Sequence, residues 1–204
     1  LARLLSYLLH PLLMPTVSLW LGLRLDPHLG YFIAPEDRWK VLLMVALMTI
    51  AFPLTSALLL LRAGLISSLE MPGRRERIAP YALSLMYYGM TAYLLARTPL
   101  HPMAQGLFTG AALALLLTTL ITMRWKISAH MVGIGGCLGA LVALNQAHAL
   151  GALLPIGAVI VAAGALGTSR LLTSDHTAGQ VYAGAALGFG TVLAAVLLMP
   201  ALPF

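Results

Sequence analysis

Seven apolar stretches separated by short polar ones run through this chain, and they leave little room for any fold but helices in a bilayer. They cover about 4–23, 41–61, 81–95, 103–123, 131–144, 150–166 and 178–198. Most approach or exceed the ~17–25 residues that carry an α-helix across a membrane. Charged residues make up 9% of the chain and apolar ones 60%, against roughly 25% charged in a soluble domain. The alternating segments of an outer-membrane barrel are absent. The expectation is a single integral membrane domain over residues 1–204, all-α, a polytopic bundle of about six or seven spanning helices.

Pro11 and Pro15 interrupt the first stretch, and no small-residue cleavage site follows it. It reads as a retained helix rather than a signal peptide. Cys137 is the one cysteine, so no intramolecular disulfide is expected. Gly135 with Gly139, and Gly184 with Gly188, have the four-residue spacing that lets helices approach closely in lipid. The formal charge of +6 comes from few basic residues near helix ends, which excludes nucleic acid as a partner. Phosphates and anionic headgroups fit that charge better.

Counting crossings places three polar stretches on one face. Residues 70–80 follow two crossings, 126–130 follow four, and 168–177 follow six. The first offers Arg74, Arg75, Glu76 and Arg77; the second Lys126, Ser128 and His130; the third Ser169, Arg170, Asp175, His176 and, just beyond, Gln180. Arginine forks take phosphate oxygens in pairs. Histidine attacks phosphorus or moves protons near neutral pH. The ligand such a face asks for is a phosphomonoester or diphosphate. No metal or other cofactor is expected there, because the clustered cations repel a divalent ion and no H-E-x-x-H pair exists. A serine hydrolase lacks its G-x-S-x-G. A transporter would keep its ionisable groups in mid-membrane.

These residues resemble the motifs of the type 2 phosphatidic acid phosphatase superfamily, over roughly residues 70–198. The third motif, S-R-x5-H-x3-D, is matched by Ser169, Arg170, His176 and Gln180, with Gln in place of Asp. The second, P-S-G-H, survives as Ile127-Ser128-Ala129-His130, and the first, K-x6-R-P, only as the arginines and Pro80 of RRERIAP. The resemblance implies a core like that of the family and a metal-independent mechanism. His176 would attack phosphorus and His130 would protonate the leaving alcohol and then activate water. Arg170 with Arg74, Arg75 and Arg77 would hold the phosphate, helped by Ser128. Gln180 would orient His176 without the charge of the family's Asp. Asp175 and Lys126 are the candidates to replace the missing carboxylate and the missing lysine.

The implied activity is hydrolysis of a lipid phosphate or polyprenyl diphosphate, with a phosphorylated membrane lipid as substrate and a bacterial inner membrane as location. Two alternatives stay open: a lipid phosphotransferase on the same scaffold, and a catalytically inactive lipid-phosphate binder. Simpler roles stand beside these. Arg74, Arg75 and Arg77 also suit a headgroup anchor. Ser169 suits a helix cap. Glu76 suits a pair with a neighbouring arginine. His10, His28, His101 and His148 lie outside the motifs and read as structural. Basic residues divide eight to four in favour of the motif face, which would make it cytoplasmic. Setting aside Arg74, Arg75, Arg77 and Arg170 as substrate ligands leaves a tie, so charge does not orient the site.

Overall fold

A computed structural model describes residues 2–173 and 176–201, with side chains from residue 4. Among these residues the chain is helical and contains no strand. The helices are α1 (Ala2–Leu8), α2 (Met14–Leu25), α3 (Arg38–Ala46), α4 (Phe52–Arg62), α5 (Ile78–Leu95), α6 (Pro102–Thr122), α7 (Ala129–His148), α8 (Leu153–Leu172) and α9 (Ala178–Leu198). Five helical segments are long and apolar enough to cross a membrane: 35–62, and those built on α6, α7, α8 and α9. The chain is therefore an integral membrane protein by the length and composition of its helices.

Two of the seven expected stretches depart from that simple form. The first is not one helix but two, α1 and α2, with a break around His10 and Pro11. Proline lacks the N–H that would continue the helix, and the His10 Nδ1 accepts from the Leu12 N–H in the gap at 3.3 Å. The third stretch, α5, has 18 residues and carries Tyr81, Tyr87, Tyr88 and Tyr93, which dilute its apolarity. Pro53 has a gentler effect. Just before it, Leu47–Ala51 form a π-turn, with the Phe52 N–H reaching the Leu47 carbonyl. One wider turn absorbs the missing donor and lets α3 and α4 run on as a single rod.

At the centre, α7 packs along α9; α6 lies against both, and α2 packs on α7 and α6. The glycines permit this. A Cβ on Gly188 would strike the Val132 carbonyl, and one on Gly135 the Ala185 carbonyl. Backbone contact of this kind replaces hydrophobic driving force where the solvent is itself apolar. Leu19, Leu95, Phe108, Ala140, Leu144 and Val196 form the deepest part of the core. Several serines and threonines inside the helices return their hydroxyls to the preceding turn, as Ser84 does to Pro80 and Thr118 to Ala114. The outer face of α8 exposes Leu154, Val161 and Leu172, the surface a helix presents to lipid.

Candidate functional site

The start of α7, the end of α8 and the start of α9 meet at one end of the bundle. Their register there is fixed by backbone. The Ser128 N–H reaches the Gln180 carbonyl at 3.3 Å. A Cβ on Gly184 would come within 2.7 Å of the Ser128 carbonyl, so only glycine lets α9 pass this close. Two of the three sequence pieces are thus joined.

The helix cap at α9 sets the position of His176. Thr177 is the N-cap, and Gln180 closes a capping box by accepting from the Thr177 N–H at 3.1 Å. The same Gln180 Oε1 lies 3.2 Å from His176 Nδ1, and the Lys126 carbonyl lies 3.3 Å from that nitrogen. Both neighbours are acceptors, since Gln180 is already receiving an N–H. The proton therefore sits on Nδ1 and the lone pair on Nε2. His176 is buried. Burial first, then the positive charges of Arg77 and Arg170, lower its pKa to about 4, with the Gln180 bond opposing. The ring is neutral at pH 7, with the lone pair on Nε2.

Arg170 occupies the last turn of α8, where its charge also suits the helix dipole. Its Nη1 donates to Ser6 Oγ at 3.2 Å, and the same hydroxyl lies 3.4 Å from Ser169 Oγ. His130 uses Nε2 to donate to the Ser6 carbonyl at 3.1 Å, which leaves its Nδ1 with the lone pair. Its ring meets His10 edge-on, with centroids 5.5 Å apart. Arg170 and His176 are both within electrostatic reach of His130. Ser6 on α1 is thus a member of the cluster that no sequence motif points to; only the packing of α1 on α8 brings it there.

The arginine-rich segment divides. Arg77 is buried, donates through Nε to the Met71 carbonyl at 2.9 Å, and acts on both His176 and the Tyr81 hydroxyl. Arg74 points elsewhere, donating to the Arg124 carbonyl at 2.6 Å, and Arg75 is exposed. Neither is brought to the histidines by any contact among the described residues. Among the described residues Glu76 forms no ion pair with an arginine, although the charge of Arg77 acts on it. Its carboxylate accepts from the Ser67 N–H at 2.9 Å and the Ser67 hydroxyl at 2.7 Å, and these bonds lower its pKa. It pins the loop before α5 and stands apart from the cluster. Ser169 lies inside α8 and caps no helix start. Lys126 contributes its carbonyl to His176 and its charge to the local field. Asp175 lies outside the described residues.

Ser128 is fully buried, and its hydroxyl has no hydrogen-bond partner among the described residues. A buried hydroxyl without a partner costs roughly 1–3 kcal/mol, which a bound oxyanion would relieve. Beside the cluster an apolar cleft, open to the outside, runs between α2, α5, α6 and α7. It extends from Leu107 and Val192 to Tyr81 and Ala129, the neighbours of Arg77 and His130. Comparison of the chain with family profiles, curated proteins and solved structures finds no match.

Proposed function

We propose that this chain is a membrane phosphatase that removes phosphate from a phosphorylated lipid through a phosphohistidine at His176. The observation that carries the reading is the fixed tautomer of His176. Two acceptors on Nδ1 leave the lone pair on Nε2, beside two guanidinium groups suited to phosphate oxygens. In the first half-reaction Nε2 bonds to phosphorus and the P–O bond to the alcohol breaks. A phosphate dianion near His130 favours its imidazolium. With Nε2–H held by Ser6, Nδ1 is the position that gives its proton to the leaving alkoxide. In the second half, water attacks phosphorus, Nδ1 takes a proton from it, and the P–N bond breaks to release inorganic phosphate and neutral His176. Arg77, Arg170 and the Ser128 hydroxyl bind the oxygens on which charge accumulates. The cleft takes the lipid tail and keeps it in an apolar setting while the headgroup reacts. The place of such an enzyme would be a bacterial inner membrane.

The test is phosphate release by the purified protein in detergent, with phosphatidic acid, phosphatidylglycerol phosphate, lipid A and undecaprenyl diphosphate as substrates. His176→Ala should abolish release, and quenching of the wild type in alkaline denaturant should trap a label on His176 that is stable to base and lost in acid. Adding an acceptor alcohol separates hydrolase from phosphotransferase by the product formed. Tight binding of phosphatidic acid with no release and no trapped label would replace this reading with a non-catalytic lipid-phosphate binder, which the uncharged Gln180 favours.

A further inference from the structure

The other end of the bundle holds a second cluster, built from three residues that share no motif. Asp26 follows α2, His28 lies two residues on, and His148 ends α7. Since α7 has 20 residues, this cluster lies about 30 Å from His130, at 1.5 Å per residue.

Asp26 has no exposed surface. Among the described residues its ion-pair partners are only the two imidazoles: His148 Nδ1 at 2.6 Å from Oδ2 and His28 Nδ1 at 3.1 Å from Oδ1. A buried carboxylate needs a compensating cation, and no lysine or arginine supplies one here. The nearby Arg38 uses its guanidinium on the carbonyls of Leu23, Gly30 and Ile33. The carboxylate is held in place by the His28 N–H at 2.9 Å, and the turn behind it by Asp26 N–H to Gly22 and Leu29 N–H to Asp26. The His28 and His148 rings face each other with centroids 4.5 Å apart. The three ligand atoms all lie within 4.8 Å of one another. Donors about 2.0–2.2 Å from a zinc ion stand roughly 3–3.5 Å apart, so small ring rotations close this set on one ion.

The geometry points to a structural site for a divalent transition-metal ion, ligated by Asp26, His28 and His148. Two imidazole nitrogens and one carboxylate oxygen are borderline ligands. They suit zinc and its first-row neighbours rather than the all-oxygen preference of calcium or magnesium. On binding, each imidazole carries its proton on Nε2 and gives the Nδ1 lone pair to the ion. Water completes the coordination from the side of His28, whose side chain is 62% exposed. His101 flanks the site without joining it: its Nδ1 accepts from the Met103 N–H at 3.3 Å as the cap of α6. The ion would tie the end of α2 to the end of α7.

The test uses the whole chain in detergent, purified with a tag that contains no histidine and stripped with chelator. Zinc is added, and bound zinc per chain and thermal midpoint are read, neither of which depends on phosphatase activity. The expected result is one zinc per chain and a higher midpoint, with cobalt giving visible ligand-field bands. His28→Gln alters an exposed side chain, so it should fold and bind zinc at least ~10-fold more weakly. Asp26→Asn should bind none. Wild-type protein that takes up no zinc at micromolar concentration, or His28→Gln that binds as tightly as wild type, overturns the proposal.

Discussion

The side-chain oxygen of Gln180 holds two donors at once: the Thr177 N–H at 3.1 Å, which starts α9, and the His176 Nδ1–H at 3.2 Å, which sets the tautomer of the proposed nucleophile. Helix capping and site chemistry are joined at one atom. A glutamine satisfies both bonds. What it lacks is a charge to stabilise the imidazolium, and the low pKa of His176 is consistent with that lack.

This relationship predicts the effect of Gln180→Glu. The change keeps the capping box and puts a carboxylate where the amide oxygen stands. An opposite charge this close raises a histidine pKa by about 1–3 units. For the wild type, His176 is neutral and nucleophilic above about pH 4, so the acid limb of kcat/KM lies near that value. In Gln180→Glu the limb should move toward neutral pH. Ionisation of the substrate is common to both enzymes and cancels in the comparison. Coincident limbs would show that residue 180 does not govern His176.

Ser6→Ala tests whether α1 competes with substrate. The Ser6 hydroxyl takes a hydrogen bond from Arg170 Nη1 at 3.2 Å, a donor that a phosphate oxygen would use. Removing it should lower KM by up to about 5-fold, the equivalent of one hydrogen bond of ~1 kcal/mol, with kcat little changed. A rise in KM instead would mean that Ser6 positions Arg170 for substrate.

The helices were legible because their signal is local. Apolar length marks a spanning helix, and the stretch from Ser169 to Gln180 runs from the end of α8 into the first turn of α9. Residues 77, 128, 130, 170 and 176 do meet at one end, but crossing parity reaches that result only if α5 is counted with the five long apolar segments. It could not separate Arg77, which is buried beside the histidines, from Arg74 and Arg75, which are one turn away and face outward. That distinction depends on how a short loop packs. Ser6 and the Asp26–His148 pair were beyond reach for a related reason. Each partnership joins residues more than a hundred positions apart, and Ser6, Asp26 and His148 carry no pattern of their own.

The apolar cleft yields a prediction about chain length. Ala111 lines it one turn along α6 from Leu107, so Ala111→Trp should fill part of it while leaving the cluster near Tyr81 intact. Each methylene removed from apolar contact costs about 0.8 kcal/mol. KM for long-chain phosphatidic acid should rise by roughly 10-fold or more, while a short-chain soluble analogue keeps its kcat/KM. Equal effects on both substrates would place the tail elsewhere.

The contact between α7 and α9 positions both histidines, because His130 begins one helix and His176 precedes the other. It has no spare room at Gly188, where an added Cβ would meet the Val132 carbonyl and come within 2.9 Å of the Gly136 nitrogen. Backbone atoms cannot rotate away as a side-chain tip can, so Gly188→Ala must push the helices apart. Overpacking of this kind costs about 1–3 kcal/mol. The expected outcome is a thermal midpoint in detergent lowered by several degrees, accompanied by a fall in kcat as the two histidines separate. Gly190, two residues on, meets nothing within 4 Å, so Gly190→Ala should leave both quantities unchanged. The pair of variants separates close helix packing from a general intolerance of alanine in α9, because only the first distinguishes the two positions.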